Sequence, residues 1–310
     1  IDSAFKRGAE SLVAFGASVE AGAADTMTLK AAQAHLHQAH GALQIVGIGG
    51  ITRVTGELGA LLADMEADLS RATPEALAAA AEALRAVGRY LDDLIGGARH
   101  QPLKLLPALD VLVVARGQAR ADAVDLYFPD LTGRPPPRQA VAQNLHPEEI
   151  RRFLGAQRAR YMRGLLRFLK GDRGGAAEMR DAIGAIEEMQ STPAQRSFWW
   201  VALGFFDALT GDLLPQDVDV RRVCNRIEQQ IRRLAEGSPQ VAERLLREAL
   251  YCVARSRPES ETVRAVQEAF RLAESLPGEE PAQDESEDTA AAAGGQALAG
   301  MAAQLRAIEE

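Results

Sequence analysis

The most constraining feature of this sequence is a repeating apolar pattern between residues 29 and 69, interrupted once by glycines. Before the interruption, apolar residues recur at steps of three and four: Leu29, Ala32, Leu36, Ala39, Leu43 and Val46. After it, a second set follows: Ile51, Val54, Leu58, Leu61, Leu62, Met65 and Leu69. This spacing is typical of helices with one buried face. Because only Gly47-Ile48-Gly49-Gly50 separates the two sets, we expect an antiparallel helical hairpin.

The remainder of the chain is also predicted to be helical, so the expected fold class is all-α. Aromatic residues make up only 5% of the 310 residues, while 47% are apolar, which favours an aliphatic helical core. Helical patterns in residues 1–120 are sufficient for an antiparallel bundle, with Thr73-Pro74 as a helix start and Gly96-Gly97 as a stop. Leu103 to Ala115 is ambiguous because of Pro107, and we interpret it as a buried helix.

Residues 121–147 contain Pro129 and Pro135-Pro136-Pro137, which no continuous helix tolerates. We interpret them as a linker, but one too apolar to be a free tether. Residues 148–276 are predicted to form a second domain of stacked helical hairpins, whose last three helices span 216–236, 239–255 and 259–276. Residues 277–310 are predicted to be an acidic low-complexity linker followed by a terminal helix from Ala297 to Glu310.

Charge and composition exclude several classes of function. A net charge of −8 argues against non-specific nucleic-acid binding, and no apolar run approaches the ~20 residues of a membrane span. Cys224 and Cys252 have aliphatic neighbours and are expected to be reduced, buried thiols. No metal-binding or cofactor motif is present, so neither is expected. The chain begins at Ile1, which indicates a piece of a longer protein.

Three of the five histidines lie within six residues of the first helix of the hairpin: His35, His37 and His40. His37 lies beside the apolar stripe, so its imidazole is expected to face solvent, one turn before the bare backbone of Gly41. The plainest interpretation is a solvated helix edge. A metal site would use His37 and His40, but it would need further ligands from His35, His100 or His146.

The same stretch resembles the motif of histidine phosphotransfer domains, which is His-x-x-Lys-Gly followed by a glycine ten residues after the histidine. Here the residues are His37-Gln38-Ala39-His40-Gly41 and then Gly47. The resemblance implies that His37 is the phosphoacceptor and that His40 replaces the usual lysine. In CheA-type domains a glutamate on the next helix holds the histidine. Gly56 and Gly59 stand near those positions in this chain, and Glu57 is the nearest carboxylate.

Two further segments extend the resemblance: QPLKLLP at 101–107, and DLYFPDL at 125–131 followed by RPPP. Together with the histidine motif, they resemble the N-terminal region of ChpA/PilL-type hybrid histidine kinases, which are CheA-like proteins of the system that controls type IV pili and twitching motility. FimL-type proteins are similar to the same region. The resemblance implies a cytoplasmic role in two-component signalling. The implied partners are a response-regulator receiver domain, a kinase domain or a scaffold protein at the cell pole.

Phosphoryl transfer would need an exposed imidazole, a carboxylate to orient it and a nearby cation. His40 is a weaker cation than lysine at neutral pH, and Glu57 is out of register. The expected function is therefore a degenerate phosphotransfer domain that docks signalling proteins, and the alternative is an active domain phosphorylated on His37. An autonomous kinase is not expected, because the sequence has no Asp-x-Gly-x-Gly box.

Two features of the second domain are candidates for interaction surfaces. A basic stripe consists of Arg160, Arg163, Arg167 and Lys170. Such a stripe is usually a solvated face, but if it is functional it would meet an acidic protein. An aromatic cluster consists of Phe198, Trp199, Trp200, Phe205 and Phe206. It is expected to be core, and a partly exposed tryptophan within it would be a candidate hot spot for binding.

Overall fold

The computed structural model describes residues 2–138, 146–214 and 217–277. Within these ranges the chain forms twelve α-helices and no β-strand, which confirms the predicted all-α class. None of these helices combines the length and apolar character that a membrane span needs. The chain divides into two compact units, one containing Ile1–Phe128 and the other Pro129–Leu276.

Unit 1 is a bundle of five helices. They are α1 (Asp2–Glu20), α2 (Thr26–Val46), α3 (Ile51–Ala67), α4 (Pro74–Ile95) and α5 (Leu106–Ala115). Short 3-10 turns lie at Leu69–Arg71, Pro102–Leu105 and Ala123–Leu126. Helix α1 packs on α2 and α4, while α3 packs on α2, α4 and α5. The predicted hairpin is therefore present, with α2 and α3 as its two arms.

The ends of the hairpin helices follow from local chemistry. Helix α2 begins after Asp25, whose carboxylate accepts a hydrogen bond from the N–H of Met27 at 2.9 Å. It ends at Gly47, which adopts φ 74° and donates its N–H to the carbonyl oxygens of Leu43 and Gln44. Because α2 stops there, Val46 is 59% exposed, and its predicted place in the buried stripe is wrong.

Unit 2 is built from seven helices. They are α6 (Pro147–Leu169), α7 (Gly174–Met189), α8 (Pro193–Thr210), α9 (Val218–Ala235), α10 (Glu243–Ala254), α11 (Glu261–Ala269) and α12 (Leu272–Ser275). Helix α7 packs against α6 and α8, α9 packs on α6, and α10 and α11 pack on α8. The aromatic cluster of α8 is buried, as predicted: Phe198, Trp199, Trp200, Phe205 and Phe206. Since both tryptophans are at most 6% exposed, neither is a binding hot spot.

The predicted single helix over 259–276 is wrong, because it is broken between α11 and α12. Arg271 adopts φ 49°, a left-handed conformation that no helix continues through. Gly133 lies at the break, and a β-carbon built on it would be only 2.7 Å from Cγ of Phe270. The extended segment around Gly133 therefore approaches the chain at the point where the helix stops.

Residues 121–138 of the predicted linker belong to the two units themselves, which divide after Phe128. In unit 1, Val124, Leu126 and Tyr127 are buried. In unit 2, Arg138 donates to the carboxylate of Glu187 at 2.8 Å and to three carbonyl oxygens at the end of α7. Residues 139–145 of the predicted linker lie outside the described residues, as does the predicted acidic segment and terminal helix beyond residue 277.

Candidate functional site

The imidazole of His37 lies on the outer side of α2 and is exposed, where the apolar periodicity of this helix places it. Five residues of the predicted stripe are buried beneath it: Leu29, Ala32, Leu36, Ala39 and Leu43. These side chains fix the rotation of α2 about its axis, so His37 is presented to solvent by the packing of its neighbours. The ring is accessible to a partner protein.

Glycines leave the surface around His37 open. A β-carbon built at Gly41, one turn further along α2, would meet nothing within 4 Å. The same holds at Gly59 on α3, and at Gly56 the nearest atom is Cε1 of His40 at 3.7 Å. The backbone of both helices is therefore reachable beside His37. We call His37, Gly41, Ile45, Gly56 and Gly59 the His37 face.

His40 contacts α3 instead of solvent. Its Nδ1 lies 2.7 Å from the hydroxyl oxygen of Thr55. The two groups share a hydrogen bond, and the hydroxyl oxygen also lies 3.1 Å from the carbonyl oxygen of Ile51. Burial lowers the pKa of His40, and the nearby His37 lowers it further. The residue that replaces the expected lysine is therefore a neutral ring that joins the two arms of the hairpin.

Glu57 is buried in an ion-pair network on another side of α3. Its carboxylate accepts from Arg53 at 2.5 Å and from Arg116, which follows the end of α5. Arg116 also donates from Nε to Asp64 at 2.9 Å, and Arg53 lies 3.7 Å from Asp125. Glu57 therefore ties α3 to α5, and within the described chain its hydrogen bonds do not go to either His37 or His40.

The other histidines do not join His37. His35 is half-buried on α2, close to Gly8 of α1. His100 lies 3.0 Å from the hydroxyl of Tyr90 and hydrogen-bonds the backbone at Gly49, while His146 precedes α6 in unit 2. Over the residues that the structure describes, no three His, Cys, Asp or Glu side chains are grouped to hold a metal ion.

The turn of the hairpin is held by residues that the apolar pattern does not reveal. A β-carbon at Gly49 would be 2.6 Å from the ring of Phe128, and one at Gly50 would be 2.4 Å from Cβ of Pro102. His100 bonds the same turn. Pro102 and Phe128 belong to the two segments that carry the wider resemblance, and the structure brings both against the glycine turn.

The basic stripe of α6 is only partly available. Arg160 pairs with Asp181 at 2.6 Å, and Arg167 pairs with Asp172 at 2.7 Å and with Glu178. Arg163 and Lys170 are exposed and form no ion pair within the described residues. Two of the four cations in the stripe are therefore paired with carboxylates, and the other two are available to a partner.

The two cysteines are free and buried, as predicted. Burial is the main cause that raises the pKa of Cys252 to about 12, and it raises that of Cys224 further. A thiol is nucleophilic only as the thiolate, so neither cysteine is a reactive group near neutral pH.

Comparison with known proteins identifies relatives among scaffold proteins. Residues 146–283 match the family model described as the FimL scaffold protein second domain. Over 242 residues, 77% of this chain, the sequence is 26% identical to Scaffold protein FimL of Pseudomonas aeruginosa, strain PAO1. The matched part spans 43% of the length of that relative. No solved structure matches the chain. The chain is therefore similar to FimL scaffold proteins, and most of unit 2 corresponds to their second domain.

Proposed function

We propose that this chain is a protein-interaction module of a cytoplasmic signalling system that controls type IV pili and twitching motility. In this proposal, unit 1 is a degenerate phosphotransfer domain whose His37 face docks the receiver domain of a response regulator. The similarity to a scaffold protein supports a role in assembly. The phosphotransfer-like motif around His37 suggests the receiver domain as the partner.

The observation that carries the proposal concerns Glu57 and His40, the two groups expected to assist phosphoryl transfer. Both already form hydrogen bonds with other residues of unit 1. The carboxylate of Glu57 is neutralised by Arg53 and Arg116. The ring of His40 is bonded to Thr55, and its lowered pKa keeps it uncharged near neutral pH. A phosphoryl group on His37 would gain no cation from His40, and the imidazole would gain no orienting carboxylate from Glu57.

The His37 face nevertheless has the character of a docking surface. His37, Gly41 and Ile45 are spaced four residues apart, so they lie along one side of α2. Ile45 is 89% exposed, an unusual position for a large aliphatic side chain on a helix. An apolar anchor beside open backbone allows the close approach of another helix.

A matched pair of glycine substitutions tests the docking proposal. Gly41 and Gly88 are both half-buried helical glycines whose added β-carbon would meet nothing within 4 Å. Binding of the receiver domain of the pilus response regulator would be measured by titration calorimetry. We expect Gly41→Arg to weaken binding about tenfold or more, because the new side chain covers the His37 face. We expect Gly88→Arg on α4 to leave binding unchanged, and equal losses from both variants would reject the His37 face.

A second candidate function is active phosphotransfer through His37, and the exposed imidazole favours it. The test is incubation with the kinase domain of the same system and radiolabelled ATP. Acid-labile label that is lost in His37→Gln would establish this alternative. Absence of label, combined with receiver binding that His37→Gln preserves, would support docking without chemistry.

A further inference from the structure

Helix α6 carries an apolar stripe on the side facing away from its buried residues. The stripe repeats at steps of four and three and consists of Gly155, Ala159, Met162, Leu166 and Leu169. Leu166 is 54% exposed and Leu169 is 44% exposed. A β-carbon at Gly155 would meet nothing within 4 Å, so this end of the stripe is open. The five residues form the outer face of a helix that otherwise buries its opposite side.

Helix α9 extends this surface at the Leu169 end. Nε of Arg158 donates to Glu228 at 2.7 Å, and the hydroxyl of Tyr161 donates to the carbonyl oxygen of Cys224 at 2.7 Å. Along the direction in which the residue numbers of α6 increase, those of α9 decrease, so the two helices are antiparallel. This register places Val218, which is 76% exposed, at the level of Leu169. Val218 therefore adds one exposed apolar side chain to the α6 stripe, and we call the stripe together with Val218 the groove.

Cations flank this groove on both sides. Arg163 and Lys170 lie on α6, and Arg221 lies on α9 one turn after Val218. All three are exposed, and within the part of the chain that the structure describes none has an acidic partner. In contrast, Arg160 and Arg167 on the far side of α6 are neutralised by α7 and the turn before it. The carboxylate of Asp217 caps α9 beside Val218, so the three cations leave the groove with a net positive charge.

We propose that the groove formed by Gly155, Ala159, Met162, Leu166 and Leu169 of α6 with Val218 of α9 docks an acidic amphipathic helix of a partner protein. The stripe runs over 15 residues from Gly155 to Leu169, and its length of about 21 Å matches about four turns of a partner helix. Apolar residues of that helix would cover Leu166 and Leu169. Its carboxylates would face Arg163, Lys170 and Arg221.

The charges select this occupant over a second copy of the chain. Two copies that met through this groove would bring their own Arg163, Lys170 and Arg221 together, and like charges at an interface oppose association. An acidic helix meets the same cations with attraction. This interaction surface belongs to unit 2 and does not depend on the His37 face.

The test uses the full chain and a designed probe. The probe is a fluorescein-labelled helical peptide of about 20 residues, with Leu on its apolar face and Glu on both flanks. Its control is the same peptide with Lys in place of every Glu. Binding would be followed by fluorescence anisotropy at low salt, where electrostatic attraction is least screened. We expect the Glu peptide to bind at least about tenfold more tightly than the Lys peptide.

Substitutions then locate the binding surface. We expect Leu166→Glu to weaken binding of the Glu peptide about tenfold or more, because it places a carboxylate in the apolar stripe. Ile95→Glu is the matched control, since Ile95 is an 85% exposed aliphatic residue on α4 of unit 1. The double variant Arg163→Glu with Lys170→Glu changes charge at exposed positions only. If circular dichroism shows that Leu166→Glu has lost helical structure, the binding of the Glu peptide to the double variant is used in its place.

Four outcomes would overturn the proposal. The first is equal binding of the Glu and Lys peptides. The second is an equal loss of binding in Leu166→Glu and Ile95→Glu, and the third is no loss of binding in the double charge variant. The fourth is a concentration-dependent dimer in sedimentation that Leu166→Glu abolishes, which would make a second copy the occupant.

Discussion

The buried carboxylate of Glu187 offers the sharpest test of how unit 2 holds the linker. Glu187 is only 5% exposed and accepts from two guanidinium groups, Arg138 at 2.8 Å and Arg196 at 2.6 Å. Arg196 is itself 7% exposed and also donates to the carbonyl oxygen of Pro136 at 3.0 Å. Glu187→Gln keeps the shape of the side chain but leaves both cations without a counter-charge. Breaking a buried ion pair in this way costs about 3 kcal/mol or more.

The assay follows from the sequence, because the only two tryptophans of the chain, Trp199 and Trp200, lie in unit 2. Their fluorescence during urea unfolding therefore reports this unit alone. With a denaturant dependence of about 2 kcal/mol per molar, a loss of about 3 kcal/mol lowers the urea midpoint by roughly 1.5 M. The matched control is Arg160→Gln, which breaks an exposed pair with Asp181 and costs about 1 kcal/mol or less. Equal midpoints for the two variants would refute the reasoning.

Two further predictions concern unit 1, where unfolding is followed by circular dichroism. Gly50→Ala is expected to destabilise by about 2 kcal/mol or more, because Gly50 has φ 85° and an added β-carbon would lie 2.4 Å from Pro102. Gly47→Ala, with φ 74° and open space, should cost only about 1 kcal/mol, and equal costs would argue against the contact. Stability should also fall as the pH drops below 6.5, the ordinary value for histidine, because burial lowers the pKa of both His40 and His100 in the folded state. Unfolding midpoints between pH 7.5 and pH 5 check this, and a flat profile would contradict it.

The helices were predictable because their signals are local. The stripe of α2, the left-handed Gly47 at its end and the Thr73-Pro74 start of α4 each follow from residues within one or two turns. The break between α11 and α12 is not predictable in this way, because a distant residue lies at it. The break after α11 coincides with the approach of Gly133, which lies more than 130 residues earlier in the chain. No periodicity around Phe270 encodes that approach.

The same division applies to the candidate site. The exposure of His37 follows from its angular position around the axis of α2, away from the buried residues of that helix. The sequence is therefore sufficient to predict this exposure. The pairing of Glu57 with Arg116 is not predictable in this way, because Arg116 lies 59 residues away and reaches it only through the packing of α5 on α3. The out-of-register position of Glu57 predicts a departure from the phosphotransfer pattern. It does not predict which residues pair with the carboxylate of Glu57.

Position 40 connects the fold to the proposed function. A lysine there would extend its amine into solvent beside His37, where it could neutralise a phosphoryl group. The shorter imidazole of His40 instead reaches the hydroxyl of Thr55 on α3. One residue cannot serve both purposes, because the hydrogen bond to Thr55 holds the ring in a partly buried place that lowers its pKa. The hairpin gains a link between its arms and loses a cation from its surface. Without that cation, His37 is a poor phosphoryl acceptor. The link between the two helices instead favours a rigid surface on which another protein docks.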